Sequence, residues 1–153
     1  MREVHTVVVN PGTQDVALIA RWRAEAFSVL DANPEQEQRT LEEFVLDQSD
    51  QVALVAKLDE TTIGTCLLVK SEIDPIHSVT PWLAGLFVAP EYRRLGAGKV
   101  LVRAIEEQAK QRGFPRLYLY TGGAVGFYER LGWKVIDRKM WKGFDTRLMV
   151  RDL

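Results

Sequence analysis

Apolar and polar positions along the chain alternate between short β-branched runs and stripes at helical spacing. Glu3 to Val9 predicts a first strand, closed by the turn Asn10-Pro11-Gly12. Thr13 or Asp15 can start a helix running to about Leu30, with Val16, Ile19, Ala20, Arg23 and Phe27 on one side. Asn33-Pro34-Glu35-Gln36 is a strong helix start: Asn caps, Pro fits the first helical position, and acidic charge suits the first turn. That second helix carries Leu41, Phe44 and Val45 and ends near Gln48. Gln51–Leu58 and Thr62–Lys70 predict a hairpin around Asp59-Glu60-Thr61. A polar loop, Ser71–Thr80, leads into a strand over Pro81–Ala89.

After that strand comes a short basic loop, Arg93-Arg94-Leu95-Gly96-Ala97-Gly98, and then a helical stripe of Val100, Leu101, Ala104, Ile105 and Ala109 that stops at Gly113. Arg116–Thr121 predicts another strand, broken by Gly122-Gly123, and a short helix runs from about Ala124 to Leu131. Trp133–Trp141 and Phe144–Arg151 predict a closing hairpin around Lys142-Gly143. The summed order is β-α-α-β-β-β-α-β-α-β-β. A strand–helix–strand crossover joins Pro81–Ala89 to Arg116–Thr121, so these two are expected to be parallel neighbours with a right-handed connection. The hairpins make the rest antiparallel. The fold class is therefore mixed α/β, a mostly antiparallel sheet flanked by about four helices.

Length and composition narrow the field. The 153 residues suit a single domain spanning 1–153, with 46% apolar and 27% charged residues. A net charge of −1 argues against a general nucleic-acid binder. Nowhere are there eighteen consecutive apolar residues, and no stretch of signal length opens the chain, so no membrane partner and a cytoplasmic location are expected. One cysteine, Cys66, lies in an apolar run and reads as a core residue. Two scattered histidines, His5 and His77, are too few for a metal centre, so no metal is expected.

The candidate chemistry lies in the strand–loop–helix run of residues 83–110. The first turn of a helix leaves backbone N–H groups unpartnered at the positive end of the helix dipole, and glycines let a phosphate reach them. Arg93, Arg94 and Lys99 add cationic donors. The same glycine pair also suits an ordinary turn. The loop lacks both the Lys-Ser/Thr ending of a triphosphate loop and the three glycines of a dinucleotide fold, which disfavours ATP and NAD.

The run Leu86-Phe87-Val88-Ala89-Pro90-Glu91-Tyr92-Arg93-Arg94-Leu95-Gly96-Ala97-Gly98 closely resembles the acetyl-CoA motif of the GNAT N-acetyltransferases. About thirty residues on, Phe127-Tyr128-Glu129-Arg130-Leu131-Gly132-Trp133 resembles the aromatic-tyrosine end of that fold. The resemblance implies a splayed parallel strand pair with acetyl-CoA in the gap. It places the backbone of Leu86, Phe87 and Val88 beside the pantetheine arm, with an N–H near Leu86 as oxyanion donor. The diphosphate falls to Arg93, Arg94, Leu95, Gly96, Ala97, Gly98 and Lys99. It makes Tyr128 the acid that protonates the departing thiolate, although a core aromatic beside Phe127 and Trp133 is the competing reading.

Two positions depart from the family pattern. Trp82 stands where many members carry a Glu that serves the base. Thr121 stands where an Asn often contacts the coenzyme, so Thr121 keeps one hydroxyl for that role. Glu72, Asp74 and His77 could reach the cleft from the loop, and Glu25 and Asp31 from the first helix, although such charges are more often solvated. Trp82, Tyr118 and Tyr120 could shape an acceptor pocket. The implied activity is acetyl transfer from acetyl-CoA to a primary amine on a small molecule or peptide. The alternative is a non-catalytic acyl-CoA-binding or sensing module. The closing hairpin leaves a homodimer open through edge pairing.

Overall fold

The computed structural model describes residues 3–26, 33–71, 77–141 and 143–153. In chain order these form β1 (Val4–Val8), α1 (Gln14–Ala26), α2 (Pro34–Leu46), β2 (Val52–Leu58), β3 (Thr61–Val69), β4 (Trp82–Val88), α3 (Ala97–Gln111), β5 (Arg116–Thr121), α4 (Val125–Arg130), β6 (Lys134–Trp141) and β7 (Phe144–Asp152). The order matches the expected one, with boundaries moved by a residue or two. The expected extension of α1 to Leu30, with Phe27, lies outside the described residues, as does Lys142 of the last turn.

Local chemistry explains the helix starts. Asn33 accepts from the Gln36 N–H through Oδ1 at 2.8 Å, with Pro34 at the first helical position. Asp15, in the first turn of α1, accepts from the Thr62 hydroxyl at 2.8 Å and pairs with Lys57 at 3.5 Å. The second bond ties α1 to the β2–β3 hairpin.

The strands form one sheet in the order β1-β2-β3-β4-β5-β7-β6, antiparallel except between β4 and β5. Alternation along the strands divides the core between its two faces. On one face Leu54, Ile63, Cys66, Leu68, Leu83, Leu117, Leu119 and Met149 pack against Leu101, Val102 and Ile105 of α3 and Tyr128 of α4. On the other, Ala53, Val55 and Leu67 pack against Val16 and Ile19 of α1 and Leu41 and Val45 of α2. No helix among the described residues is long and apolar enough to cross a membrane.

A buried charge ties α3 to the segment after α4. Glu106, 8% exposed, accepts from the Trp133 indole N–H at 3.1 Å and from Arg103 at 2.9 Å, with Arg151 at 3.8 Å. Removing the carboxylate leaves the indole donor and two cations without their acceptor. Glu106→Ala is therefore expected to lower the unfolding free energy by about 3 kcal/mol. Leu46→Ala, at a 73% exposed position, should change it by no more than about 0.5 kcal/mol. Urea unfolding followed by tryptophan fluorescence distinguishes them, and equal effects would refute the buried-hub reading.

Candidate active site

β4 and β5 run parallel but share one register pair, Trp82 opposite Tyr118, where the Tyr118 N–H donates to the Pro81 carbonyl at 3.1 Å. Beyond that pair the strands part. The irregularity that shapes the gap lies in β4, whose pairing with β3 slips between Leu67–Ala84 and Thr65–Phe87. Gly85 and Leu86 together face Cys66, which makes this a bulge. Gly85 takes φ 64°, and a Cβ there would strike the Arg23 guanidinium and approach Leu67 Cδ1 at 2.9 Å. A glycine is required on both counts.

The bulge resets which way β4 faces. Before it, Leu83 joins the α3-side core while Ala84 lines a cavity against α1 and α2. After it, Leu86 and Val88 lie on the α3 side, and Phe87 packs on Trp22 of α1 at 5.2 Å. The main chain alternates too. The Ala89 N–H donates to the Ile63 carbonyl at 2.8 Å, which turns the peptide groups of Val88 and Leu86 away from β3 and into the gap. One wall of the cleft is thus a row of unpaired strand edge, in which the Val88 carbonyl accepts from Arg93 Nε at 2.9 Å.

Arg93 does not extend into the loop as a simple cationic donor. Its guanidinium folds back over the Phe87 ring, 5.7 Å from the centroid, and braces the end of β4. A 3-10 turn, Pro90–Tyr92, then leads to Arg94 at φ 71° and Gly96 at φ 82°. The first bond inside α3 runs from the Val100 N–H to the Gly96 carbonyl at 3.1 Å, so the helix itself uses none of the N–H groups of Ala97, Gly98 and Lys99. Arg94, Leu95 and Lys99 are exposed around this turn, Ala97 is buried, and the first turn carries no acid. A Cβ at Gly98 would lie 3.4 Å from Phe127 Cζ, so the helix start is packed on one side and open on the other. The α3 start thus offers unused backbone N–H groups beside exposed cationic side chains, chemistry that suits an anion.

Tyr128 sits on the α3 side, 6% exposed, with its ring edge-on to Phe127 at 5.0 Å and Trp133 at 5.9 Å. It is thus a packed aromatic within the α3-side core. Burial is the main cause that pushes its pKa well above the ordinary phenol value, and the Cys66 thiol adds to it. Cys66 is fully buried as expected, and its thiol faces the Ala84 carbonyl at 3.6 Å. Thr121 ends β5 and accepts from the Ala124 N–H through its hydroxyl at 3.2 Å, which shapes the entry to α4.

The opposite face of the sheet is built differently. A cavity of about 370 Å³ opens between α1, α2 and β3–β4, lined among others by Arg23, Glu37, Phe44, Leu67 and Ala84. Arg23 Nε donates to Glu37 at 3.1 Å within it. Beside it Trp82 stacks on Tyr120 at 4.6 Å, and the Trp82 indole N–H donates to the Val79 carbonyl at 2.8 Å. His77, 17% exposed at its side chain, lies 2.6 Å through Nδ1 from the Tyr120 hydroxyl and 2.7 Å through Nε2 from Asp137 Oδ2. Of the other carboxylates considered for the cleft, Glu72, Asp74 and Asp31 lie outside the described residues, and Glu25 is exposed on α1. The tyrosine–histidine–aspartate set escapes sequence reading because its members are 43 and 60 residues from His77. Gly85 inside a strand was the available hint of the bulge. Among the described residues no group of three or more His, Cys, Asp and Glu could hold a metal ion.

The family model for the acetyltransferase (GNAT) family matches residues 16–133. A probable N-acetyltransferase 14 of Xenopus tropicalis is 33% identical over 94 residues, covering 59% of this chain and 44% of that protein. The chain spans less than half the length of the first curated relatives it matches. An aminoglycoside 6'-N-acetyltransferase complexed with coenzyme A superposes with a TM-score of 0.77 at 15% identity, over 97% of this chain and 96% of that one. A GNAT family acetyltransferase from Elizabethkingia anophelis with acetyl-CoA bound gives 0.64 at 19% identity, over 98% of each chain. These likenesses share the fold.

The buried phenol sets a pH dependence. In the unfolded chain Tyr128 ionises near pH 10, while the folded protein holds the proton to higher pH, so above about pH 10 the native state binds more protons. Stability should therefore fall as pH rises past that point. Tyr128→Phe should flatten the fall in urea midpoints measured from pH 9 to 11. An unchanged slope would show the phenol to be accessible.

Proposed function

The chain belongs to the acetyltransferase (GNAT) family, and on that premise we propose that it transfers an acetyl group from acetyl-CoA to a primary amine of a small molecule or peptide. The observation that supports this reading is the parted β4–β5 pair, joined in the same fold by the open start of α3 and the buried phenol of Tyr128. Acetyl-CoA supplies an acyl group activated as a thioester. The chain's part is to grip, aim and manage protons.

In this reading the N–H groups of Arg94, Leu95, Gly96, Ala97, Gly98 and Lys99 receive the diphosphate, with the positive end of α3 behind them. Arg93 keeps its charge nearby while bracing the Val88 carbonyl. Leu86, Phe87 and Val88 offer their free edge to the amides of the pantetheine arm, as an added strand would. The Leu86 N–H, turned into the gap, is the donor for the carbonyl oxygen as it gains charge. Thr121 borders the same gap from β5. Tyr128 gives its phenol proton to the departing sulfur. The amine approaches from the α1–α2 face, where the cavity lies. Edge strand β6, with Val135, Ile136 and Met140 exposed, supports pairing of two copies.

One feature favours a second reading. Trp82 occupies the position of the frequent family Glu, which suits a module that binds acyl-CoA without turnover. Release of free thiol from acetyl-CoA, measured over a panel of amines, separates the two: turnover supports the transferase, and tight binding without turnover supports the sensor. Tyr128→Phe should cut turnover by about ten- to a thousandfold with coenzyme affinity retained. Gly98→Glu should abolish acetyl-CoA binding by calorimetry while circular dichroism stays unchanged, because a carboxylate then fills the anion site. Unaltered binding in that variant would sink the diphosphate assignment.

A further inference from the structure

We propose that Tyr120, His77 and Asp137 form a proton relay that accepts the proton lost by the attacking amine, with Trp82 as its scaffold. This rests on the acetyl-transfer reading above and supplies the base that Trp82 cannot be. The geometry fixes the direction of the relay. Asp137 is held ionised, its carboxyl kept below the usual range chiefly by the His77 hydrogen bond, with help from the Arg138 N–H and Lys139. A carboxylate only accepts, so Nε2 of His77 carries the hydrogen that it donates to Asp137 at 2.7 Å. In the neutral ring Nδ1 is then a lone pair, and the Tyr120 hydroxyl donates to it at 2.6 Å. A phenol oxygen that donates its hydrogen still carries lone pairs able to accept from an N–H. The same logic orders a hydroxyl, an imidazole and a carboxylate in hydrolases.

Position agrees with the role. Tyr120 lies two residues along β5 from the single β4–β5 pair, level with Ala84 across the gap and close to the Leu86 bulge. It shares the face of the acceptor cavity, since its neighbours Leu117 and Leu119 belong to the α3-side core. Trp82, stacked on Tyr120 and donating to the Val79 carbonyl, holds both the phenol ring and the segment that carries His77. Asp137 reaches the set from β6 because the register slip between Val135 and Asp137 places it opposite Leu148, which pairs with Tyr120. Two strands, β5 and β6, converge on one imidazole.

The step balances. The amine nitrogen forms a bond to the thioester carbonyl carbon as the C–S bond breaks. The proton released from nitrogen passes to the Tyr120 oxygen, whose own proton moves to His77 Nδ1, leaving an imidazolium beside the Asp137 carboxylate. The sulfur takes its proton from Tyr128. Solvent then removes one proton from His77 and returns one to Tyr128, so amine and thioester have become amide and thiol.

The test uses the whole chain, acetyl-CoA and the best amine from the panel. Tyr120→Phe keeps the ring on Trp82 and removes only the hydroxyl, and it should lower kcat by about ten- to a hundredfold with acetyl-CoA affinity unchanged. His77→Gln should do the same and alter the pH profile. Among the described residues the titratable groups facing the imidazole are Tyr120 from β5 and Asp137 from β6, with Lys139 beside the latter and Arg138 engaged by Asp145. The ratio of wild-type to His77→Gln kcat/KM should therefore vary with pH, because only the wild type carries a proton-accepting imidazole in the relay. Asp137→Asn should fall between them. Wild-type turnover with both Tyr120→Phe and His77→Gln within twofold of it, or with a ratio that does not vary with pH, overturns the relay and leaves the transferase standing. Bound acetyl-CoA with no wild-type turnover on any amine overturns the transferase and the relay together.

Discussion

A single shared register pair between two parallel strands is the constraint on which the site depends. Hydrogen bonding would ordinarily zip β4 and β5 along their length, and a closed sheet there would leave neither a cleft nor an unpaired edge. Here the zip ends at Trp82 and Tyr118. The bulge at Gly85 turns β4 at the level where the strands part, and its left-handed backbone is possible because no side chain competes with Arg23 and Leu67 for the space. The parting also brings the peptide groups of Leu86 and Val88 into line with the start of α3. One glycine in a strand thus sets the geometry of everything downstream of it.

Much of this was legible in the sequence. The strand–glycine–helix run, the Asn33-Pro34 helix start and the crossover between parallel strands are local or topological signals, and local signals survive folding when packing agrees with them. The buried setting of Cys66 follows the same logic. The parity shift across Gly85 was not legible, because a bulge is a property of the pair and only half of the pair is visible in one strand. Arg93 was assigned by charge alone, whereas its guanidinium answers to a carbonyl five residues earlier. His77 was one of three loop residues that could reach the cleft, with nothing in the sequence to single it out. Its meaning comes from Asp137, which a register slip at the far edge of the sheet delivers to it.

Trp82 illustrates how a missing group is read differently once neighbours are known. In sequence it is the loss of a carboxylate. In the structure it is a flat surface against which Tyr120 stacks and an N–H that anchors the preceding loop. Trp82 is itself buried at the point where the strands part, and its ring lies against that of Tyr120. The proposed chemistry therefore moves across the gap, from β4 to β5, without any change in the fold.

The two cores on opposite faces of the sheet make it a partition. Phe127 and Tyr128 occupy one compartment with the first turn of α3, while the cavity beside Arg23 and Glu37 opens in the other. On the proposed function, the side chains of α1 and α2 that line the cavity face the acceptor, those around the first turn of α3 face the donor, and the sheet stands between them. Resurfacing α1 and α2 is then a route to new acceptors that leaves the helix start gripping the coenzyme where it is.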